Sequence, residues 1–444
     1  MTGRHSVTQR RRSYFLCREY SLSQDKSQSY PQVKNMSKLL EQIYKEKKHL
    51  GSVLEVTSSK RIYLSEYKKQ GTPFFRSKEI IEAFKGKQIS SELFISNDRY
   101  NEIKNKFGVP QKDDILLTSI GTIGIPFRVT NDKPFYFKDG NLTWFRNYNG
   151  IDSLYLYYWI ISTKGQSQIE SNSIGSSQSA LTIDSIKKLE IDLPDLPTQK
   201  KIAGILSAYD AKIENNNKII KNLELTAQTI FNEWFINFRF PGYEKAKMVE
   251  SEMGEIPAEW NVGKISDFGN VVCGKTPSKS ESIYFGGEIP FIKIPDMHSQ
   301  MFIVNTEDSL TQAGVNTQKN QLIPEGSICV SCIATVGLVS ITTKDSQTNQ
   351  QINSVVPKNR ESTEYLYFTL VNKKNDLKAI GSGGSTTLNI NTSVFSNLEV
   401  LIPNDQIIKL FHQKVSPSFK AVKHLINENI SLKQSRDQLL AKLI

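Results

Sequence analysis

The sequence predicts an α+β protein built from two similar mixed α/β globules, each followed by a long helix, with the two helices pairing. Three observations carry this. The first is a heptad seam: Ile202, Leu206, Tyr209, Ile213, Asn216, Ile220, Leu223, Ala227, Ile230 and Trp234 alternate in steps of four and three, and only Asn216 is polar. The second is a similar stretch at the end of the chain, Ile408, Phe411, Val415, Ser418, Val422, Leu425, Asn429, Leu432, Arg436, Leu439 and Leu443. The third is an internal repeat.

The repeat has four blocks in fixed order. Pro73-Phe74 with Arg76 returns as Pro290-Phe291 with Lys293, and Ile115 to Gly124 returns as Ile328 to Gly337. Tyr155 to Tyr158 returns as Tyr365 to Phe368, and Leu189 to Pro194 as Leu398 to Pro403. The offsets fall steadily, 217, 213, 210 and 209 residues, as small insertions and deletions produce. Each copy then runs into its long helix.

In chain order, residues 1–35 carry seven basic residues against two acidic ones and have no apolar run longer than Tyr14 to Cys17. This predicts a basic, disordered tail and a poor signal peptide, with Met36 an equally good start. Residues 36–195 form the first globule, 196–240 the central helix, 241–253 a polar linker, 254–402 the second globule and 403–444 the distal helix. Within each globule, β-branched runs end in Gly/Ser/Thr clusters, and aromatic segments (Ser153 to Ser162, Glu361 to Val371) read as helices. Glycine/serine loops follow, Gly175 to Ser179 and Gly381 to Thr387.

Pro194 and Pro197 stop what precedes the central helix, Thr198 is the expected cap, and Pro241-Gly242 ends it. About 40 residues of helix would span roughly 60 Å, too long a rod to stand without a partner. An ordinary core helix is the alternative, and the second heptad stretch argues against it. In that stretch Pro417 is expected to break or restart the helix with Ser416 as cap.

The formal charge of the 444 residues is +11, which favours a polyanionic partner, nucleic acid first. No run approaches the ~18 apolar residues of a membrane span, so a cytoplasmic protein is expected. Of four cysteines, Cys329 and Cys332 match C-x-x-C, but no second pair exists and both lie in an apolar run, so they read as structural.

Gly269 to Thr276 matches the phosphate-binding G-x-x-x-x-G-K-[ST] pattern residue for residue. That motif needs a helix whose N-terminus meets the phosphates, and Pro277 follows at once. A nucleotide-hydrolysing enzyme is therefore the weaker reading, as is a coiled-coil protein acting alone. No metal-ligand cluster, Ser/His/Asp set or glycine-rich S-adenosylmethionine loop is found.

What remains is paired binding equipment. Lys60, Arg61, Arg76 and Lys78 in the first copy, and Lys275, Thr276 and Lys293 in the second, offer phosphate and base contacts. Thr118, Ser119, Thr122, Ser176 and Gln178, with Thr335, Ser385 and Thr386, offer hydroxyl and amide groups from the loops. For any one of these a solvated loop is an equal reading, and repetition at matching places is what favours binding.

Together with the duplication, Phe231 to Phe238, Gly254 to Trp260, Gly274 to Ser278 and the terminal Arg436 to Ile444 give a sequence that resembles the specificity (S) subunits of type I restriction-modification systems. The resemblance runs from about Met36. The basic first 35 residues are not part of the family pattern, and Ala441 stands where a proline is usual.

The resemblance implies a non-catalytic subunit. Each globule would be a target-recognition domain reading one half of a bipartite, gapped, double-stranded DNA sequence. The helices would pair as an antiparallel coiled coil that sets the gap. Two methyltransferase (M) subunits would dock on the helices and restriction (R) subunits would join through them. S-adenosylmethionine would sit on M, ATP and magnesium on R, and no cofactor on this chain; the adenine to be modified would be flipped into M. Half-sites about one turn apart, ~34 Å, lie within the reach of such rods. Asn216 and Asn429 are the candidates for fixing helix register.

Overall fold

The computed structural model describes residues 46–86, 89–175, 179–382 and 388–444. The basic tail, and the loop positions Ser176, Gln178, Ser385 and Thr386, lie outside the described residues. The chain divides into two compact units, one closing at Ile202 and taking in Leu443 and Ile444, the other spanning Ala203–Lys442.

In the first unit the elements are β1 (Glu46–His49), α1 (Leu50–Val53), β2 (Glu55–Thr57), β3 (Thr72–Phe75), α2 (Ser77–Phe84), β4 (Phe94–Ile95), α3 (Asn97–Phe107), β5 (Ile115–Thr118), β6 (Pro126–Arg128), β7 (Tyr136–Phe137), β8 (Leu142–Arg146), α4 (Ser153–Ile161), α5 (Thr163–Ser171), α6 (Ile183–Lys187) and β9 (Glu190–Leu193). They make an antiparallel sheet β2-β8-β5-β6, a mixed sheet β4-β3-β7, and the pair β1-β9. All four β5 positions are buried, because helices and the second sheet cover both faces of that strand.

The helix α7 (Leu196–Phe231) follows. The second globule carries β10 (Met248–Ser251), β11 (Gly254–Pro257), β12 (Asn261–Lys264), α8 (Ile265–Phe268), β13 (Gly269–Cys273), β14 (Phe285–Ile292), α9 (Ile294–Met297), β15 (Phe302–Ile303), β16 (Asp308–Leu310), α10 (Gln312–Asn316), β17 (Ile328–Ser331), β18 (Val339–Thr342), β19 (Gln347–Thr348), β20 (Ile352–Pro357), α11 (Thr363–Asn372), α12 (Lys374–Gly381), α13 (Thr392–Ser396), β21 (Glu399–Ile402) and the helix α14 (Asp405–Leu443). The repeat seen in the sequence is a repeat of topology. Sheet β13-β20-β17-β18, extended by β15, matches β2-β8-β5-β6; β16-β14-β19 matches β4-β3-β7; and β12-β21 matches β1-β9.

Helices α7 and α14 pack against each other, and within the second unit their order is antiparallel: Asp210 meets Arg436, Asn216 meets Asn429, and Phe231 meets Phe411 with ring centroids 6.0 Å apart. No seam position of α7 is exposed: Ile202, Leu206, Ile213, Asn216 and Ala227 are buried, and Tyr209, Ile220, Leu223, Ile230 and Trp234 are half-buried. On α14, Asn429 is buried while Leu425, Leu432 and Leu439 are half-buried. The pair is not a free rod. Phe231, Phe235, Phe411, Val415, Phe419 and Val422 share one core with Trp260, Tyr365, Phe368 and Leu398 of the second globule.

Two expectations about the helix ends are corrected. Asp195, not Thr198, caps α7: its carboxylate accepts from the Thr198 N–H at 3.1 Å, and Pro197 sits inside the first turn, where its missing N–H costs nothing. Pro417 neither breaks nor restarts α14, which runs through it. A proline there forfeits the bond to the Gln413 carbonyl, about 3 kcal/mol. The burial of Val415, Phe419 and Val422 around it outweighs that loss. The glycine-rich match at Gly269 to Thr276 has its strand, β13, but no helix after it. The Gly274 and Lys275 N–H groups bond to Ile352 and Thr348 carbonyls, so they are not available to cradle a phosphate.

At the centre of the seam, fully buried Asn216 donates from Nδ2 to Asn429 Oδ1 (2.9 Å) and Glu428 Oε2 (2.8 Å), and Asn429 donates to Asn217 Oδ1 (2.9 Å). Removing one partner strands the others, whereas replacing both by apolar side chains does not. Asn216→Ala is therefore expected to lower unfolding stability by about 1–3 kcal/mol, and Asn216→Leu with Asn429→Leu to recover most of it. Urea denaturation followed by circular dichroism checks this. Equal loss in both variants would show that the polar pair does not act as a unit.

Candidate nucleic-acid interface

Antiparallel register fixes where the loops of each globule go. In the first, β2 ends at Thr57 opposite Trp144, β5 ends at Thr118 opposite Leu142, and Leu117 faces Pro126, the first residue of β6. The segments after Thr57, between Thr118 and Pro126, and before Leu142 therefore leave the same end of the sheet. A fourth joins them through the bridge Ile120 to Ala180 and the bond from Gly121 N–H to Ser179 O (2.9 Å). The second globule repeats this end: Cys273 faces Asn353, Ser331 faces Ile352, Val330 faces Val339, and Ile333 bridges to Asn389. Even the ties between loops correspond, Ser119 N–H to Asn141 O at 2.9 Å and Cys332 N–H to Gln351 O at 2.8 Å. Gly121 (φ +78°) and Ala334 (φ +62°) hold the same left-handed turn.

Six residues singled out in the sequence lie at these ends. In the first globule Lys60, Arg61 and Thr122 are exposed. Lys60 anchors its backbone N–H on the Tyr136 hydroxyl (2.6 Å) and holds its ammonium 4.6 Å from the Phe107 ring centre, while Arg61 Nε donates to Asp139 Oδ2 (2.9 Å). In the second, Lys275 and Thr335 are exposed and Thr276 half-buried, its hydroxyl donating to Gln350 Oε1 (2.6 Å). Beneath them lies a support of amides: Gln318 Nε2 donates to Lys275 O (2.6 Å) and to Gln347 Oε1 (2.7 Å), and Gln347 is fully buried.

Five others have their polar groups engaged within the protein. The Thr118 and Ser119 hydroxyls face inward: Thr118 Oγ1 accepts the Ile125 N–H (2.9 Å), and Ser119 Oγ lies 2.6 Å from Thr143 Oγ1. Ser331, at the matching place, accepts the Leu338 N–H at 2.9 Å, so the hydroxyl closes the hairpin turn in both copies. Arg76 and Lys78 are neutralised by buried Glu79 and by Glu92, at 2.7 Å for Arg76–Glu79 and for Lys78–Glu92. Lys293 is bound to Asp308 (2.7 Å) and Glu307 (3.4 Å); burial disfavours its charge, but these carboxylates outweigh that and hold its pKa above the usual lysine value. Each of these three cations, like Arg61, has a carboxylate partner within the chain.

Sequence reasoning missed Asp139, Asn141, Gln350 and Gln351. A signal was present in the second copy: Thr348-Asn-Gln-Gln351 is a polar run set between strand residues. Among the described residues no group of three His, Cys, Asp or Glu can hold a metal, and no helix is long and apolar enough to cross a membrane. Cys329 and Cys332 are buried free thiols; burial pushes them up to about 12 and about 11, so neither supplies a thiolate near neutral pH.

Thr118→Val leaves the Ile125 N–H buried without its acceptor, so a loss of about 1–3 kcal/mol in stability is expected. Thr122→Ala, on the exposed part of the same loop, is expected to stay within about 0.5 kcal/mol of the parent. Parallel urea melts separate the two; equal effects would refute the division between structural and surface hydroxyls.

Comparison with known proteins agrees with the duplicated architecture. The type I restriction modification DNA specificity domain matches twice, over residues 44–225 and 257–440. The specificity subunit of the Haemophilus influenzae type I restriction enzyme HindI is 39% identical over 321 residues, covering 60% of this chain and 70% of that protein. The MjaIX specificity subunit of Methanocaldococcus jannaschii is 29% identical over 352 residues, covering 75% and 77%. In fold the chain resembles the crystal structure of the type I restriction-modification S subunit from M. genitalium, with a TM-score of 0.58 at 16% identity, over 91% of this chain and 96% of that one. With both copies of its repeat matched, the chain belongs to the family of type I restriction-modification specificity subunits and carries two target-recognition domains.

Proposed function

We propose that each recognition domain reads one half of a bipartite, gapped target in double-stranded DNA with the loops at the end of its main sheet, and that α7 and α14 together set the gap. The observation that carries this is one loop end built twice on register-matched strands and furnished with different exposed side chains. Lys60 and Lys275, at corresponding places, suit phosphate contacts, which position a protein without reading sequence. Arg61, Thr122, Thr276 and Thr335 suit base edges. A chain of net charge +11 gains affinity for DNA by releasing counterions, so binding should weaken steeply with salt.

In this reading the chain itself does no chemistry. The paired helices dock two adenine-methyltransferase (M) subunits, and restriction (R) subunits join through those. S-adenosylmethionine belongs to M, ATP and magnesium to R. This chain's part is to hold DNA in register while M takes the target adenine out of the stack. The site of action is the cytoplasm.

Inserting four residues into α7 adds about 6 Å of helix. It is expected to widen the gap by roughly one to two base pairs, at about 3.4 Å each, while both half-sites keep their sequence. Mapping of N6-methyladenine in genomic DNA, with the parent and the lengthened chain, reads gap and half-sites together. An unchanged gap with altered half-sites would sink the spacer assignment, and a genome whose methylation ignores deletion of this chain would sink the specificity role.

A further inference from the structure

The two recognition domains each place a hydrogen-bonded side-chain pair at their loop ends, anchored on one register-matched position, and the pairs differ in chemistry. Register defines the correspondence. Thr57 faces Trp144 in the first domain as Val272 faces Ser354 in the second. Counting on from these, Lys60 corresponds to Lys275 and Arg61 to Thr276. Across the loop end, Asp139 lies three residues before Leu142 and Gln350 two residues before the matching Ile352, so these second partners are offset by one residue between the copies. In one domain Arg61 Nε donates to Asp139 Oδ2 at 2.9 Å; in the other, Thr276 Oγ1 donates to Gln350 Oε1 at 2.6 Å.

We propose that these pairs decide base identity at one position of each half-site: Arg61, steadied by Asp139, takes a guanine in one half, and Gln350, steadied by Thr276, takes an adenine in the other. The proposal deepens the function given above and rests on it.

The Arg61–Asp139 pair has little structural value where it stands. The Arg61 side chain is 69% exposed, and such surface pairs contribute about 0–1 kcal/mol. What the carboxylate does is hold Nε. The two terminal nitrogens have no partner among the described residues, and they form the planar fork that matches O6 and N7 of guanine in the major groove. In Gln350 the carbonyl oxygen receives the Thr276 hydroxyl, which orients the amide. Its nitrogen, with no partner among the described residues, can donate to adenine N7, while the second lone pair of Oε1 accepts from the N6 amino group.

The backbones beneath both readers are fixed, as a reading residue requires. Lys60 N–H donates to the hydroxyl of Tyr136, which is 1% exposed, and Lys275 N–H donates to Thr348 O at 2.9 Å. The turn carrying Gln350 is further tied by Asn349 Nδ2 donating to Gln351 Oε1 (2.9 Å) and by the buried Gln318–Gln347 bond.

The test uses the chain assembled with its methyltransferase subunits, and a panel of duplexes in which each position of the native methylated motif is replaced in turn. For Arg61→Ala, discrimination is expected to fall roughly ten- to hundredfold at one guanine of one half-site, the worth of a single bidentate base contact. For Gln350→Ala the same fall is expected at one adenine of the other half. The double variant Thr276→Arg with Gln350→Asp is expected to exchange that adenine preference for guanine, a gain that misfolding cannot imitate. Unchanged discrimination in either single variant overturns the proposal, and so does a uniform loss across all duplexes, which marks a phosphate or packing role. A parent complex with no split motif overturns the underlying function instead, and that outcome is visible before any variant is made.

Discussion

Two helices of 36 and 39 residues are held by one constraint: each has an apolar stripe that is covered by the other helix and, towards one end of the pair, by the second globule. Helical propensity alone would not maintain such lengths in water. Burial along the seam does, and it does so with a built-in direction. The buried asparagines find each other in one register only, and Arg436 finds Asp210 in the same register. Sliding one helix by a turn would bury these groups without partners, and an unpaired buried polar group costs more than a mismatched apolar contact. The polar residues thus select the alignment that the apolar residues stabilise.

The seam and the duplication were legible in the sequence because both are periodic, and periodicity survives without knowledge of contacts. The helix ends were less so. Pro417 reads as a breaker by any local rule, and only the core around Val415, Phe419 and Val422 overrides it. Asp195 was read as part of what precedes α7, although a carboxylate just before a proline-containing first turn is a good cap.

The candidate interface was legible in outline. The loops named from composition do meet at one end of each sheet, because antiparallel strands return their ends to the same place. Which side chains face outward was not legible. Thr118 and Ser119 follow an apolar strand, as a surface hydroxyl pair would, yet the tight turn after β5 draws them inward. Arg76, Lys78 and Lys293 look available until Glu79, Glu92, Glu307 and Asp308 arrive beside them. Partners that lie one helical turn away, as Glu79 does from Arg76, could have been foreseen; those reached across a loop could not.

The loop between β17 and β18 holds Ala334 with a positive φ, at the place where the first copy has Gly121. A side chain in that conformation costs about 1–2 kcal/mol that glycine does not. The turn has kept its shape in spite of this, its N–H still bonded to Leu388 O at 3.0 Å. The exposed neighbour, Thr335, is thus presented from a backbone held in a single conformation without the freedom a glycine would give it.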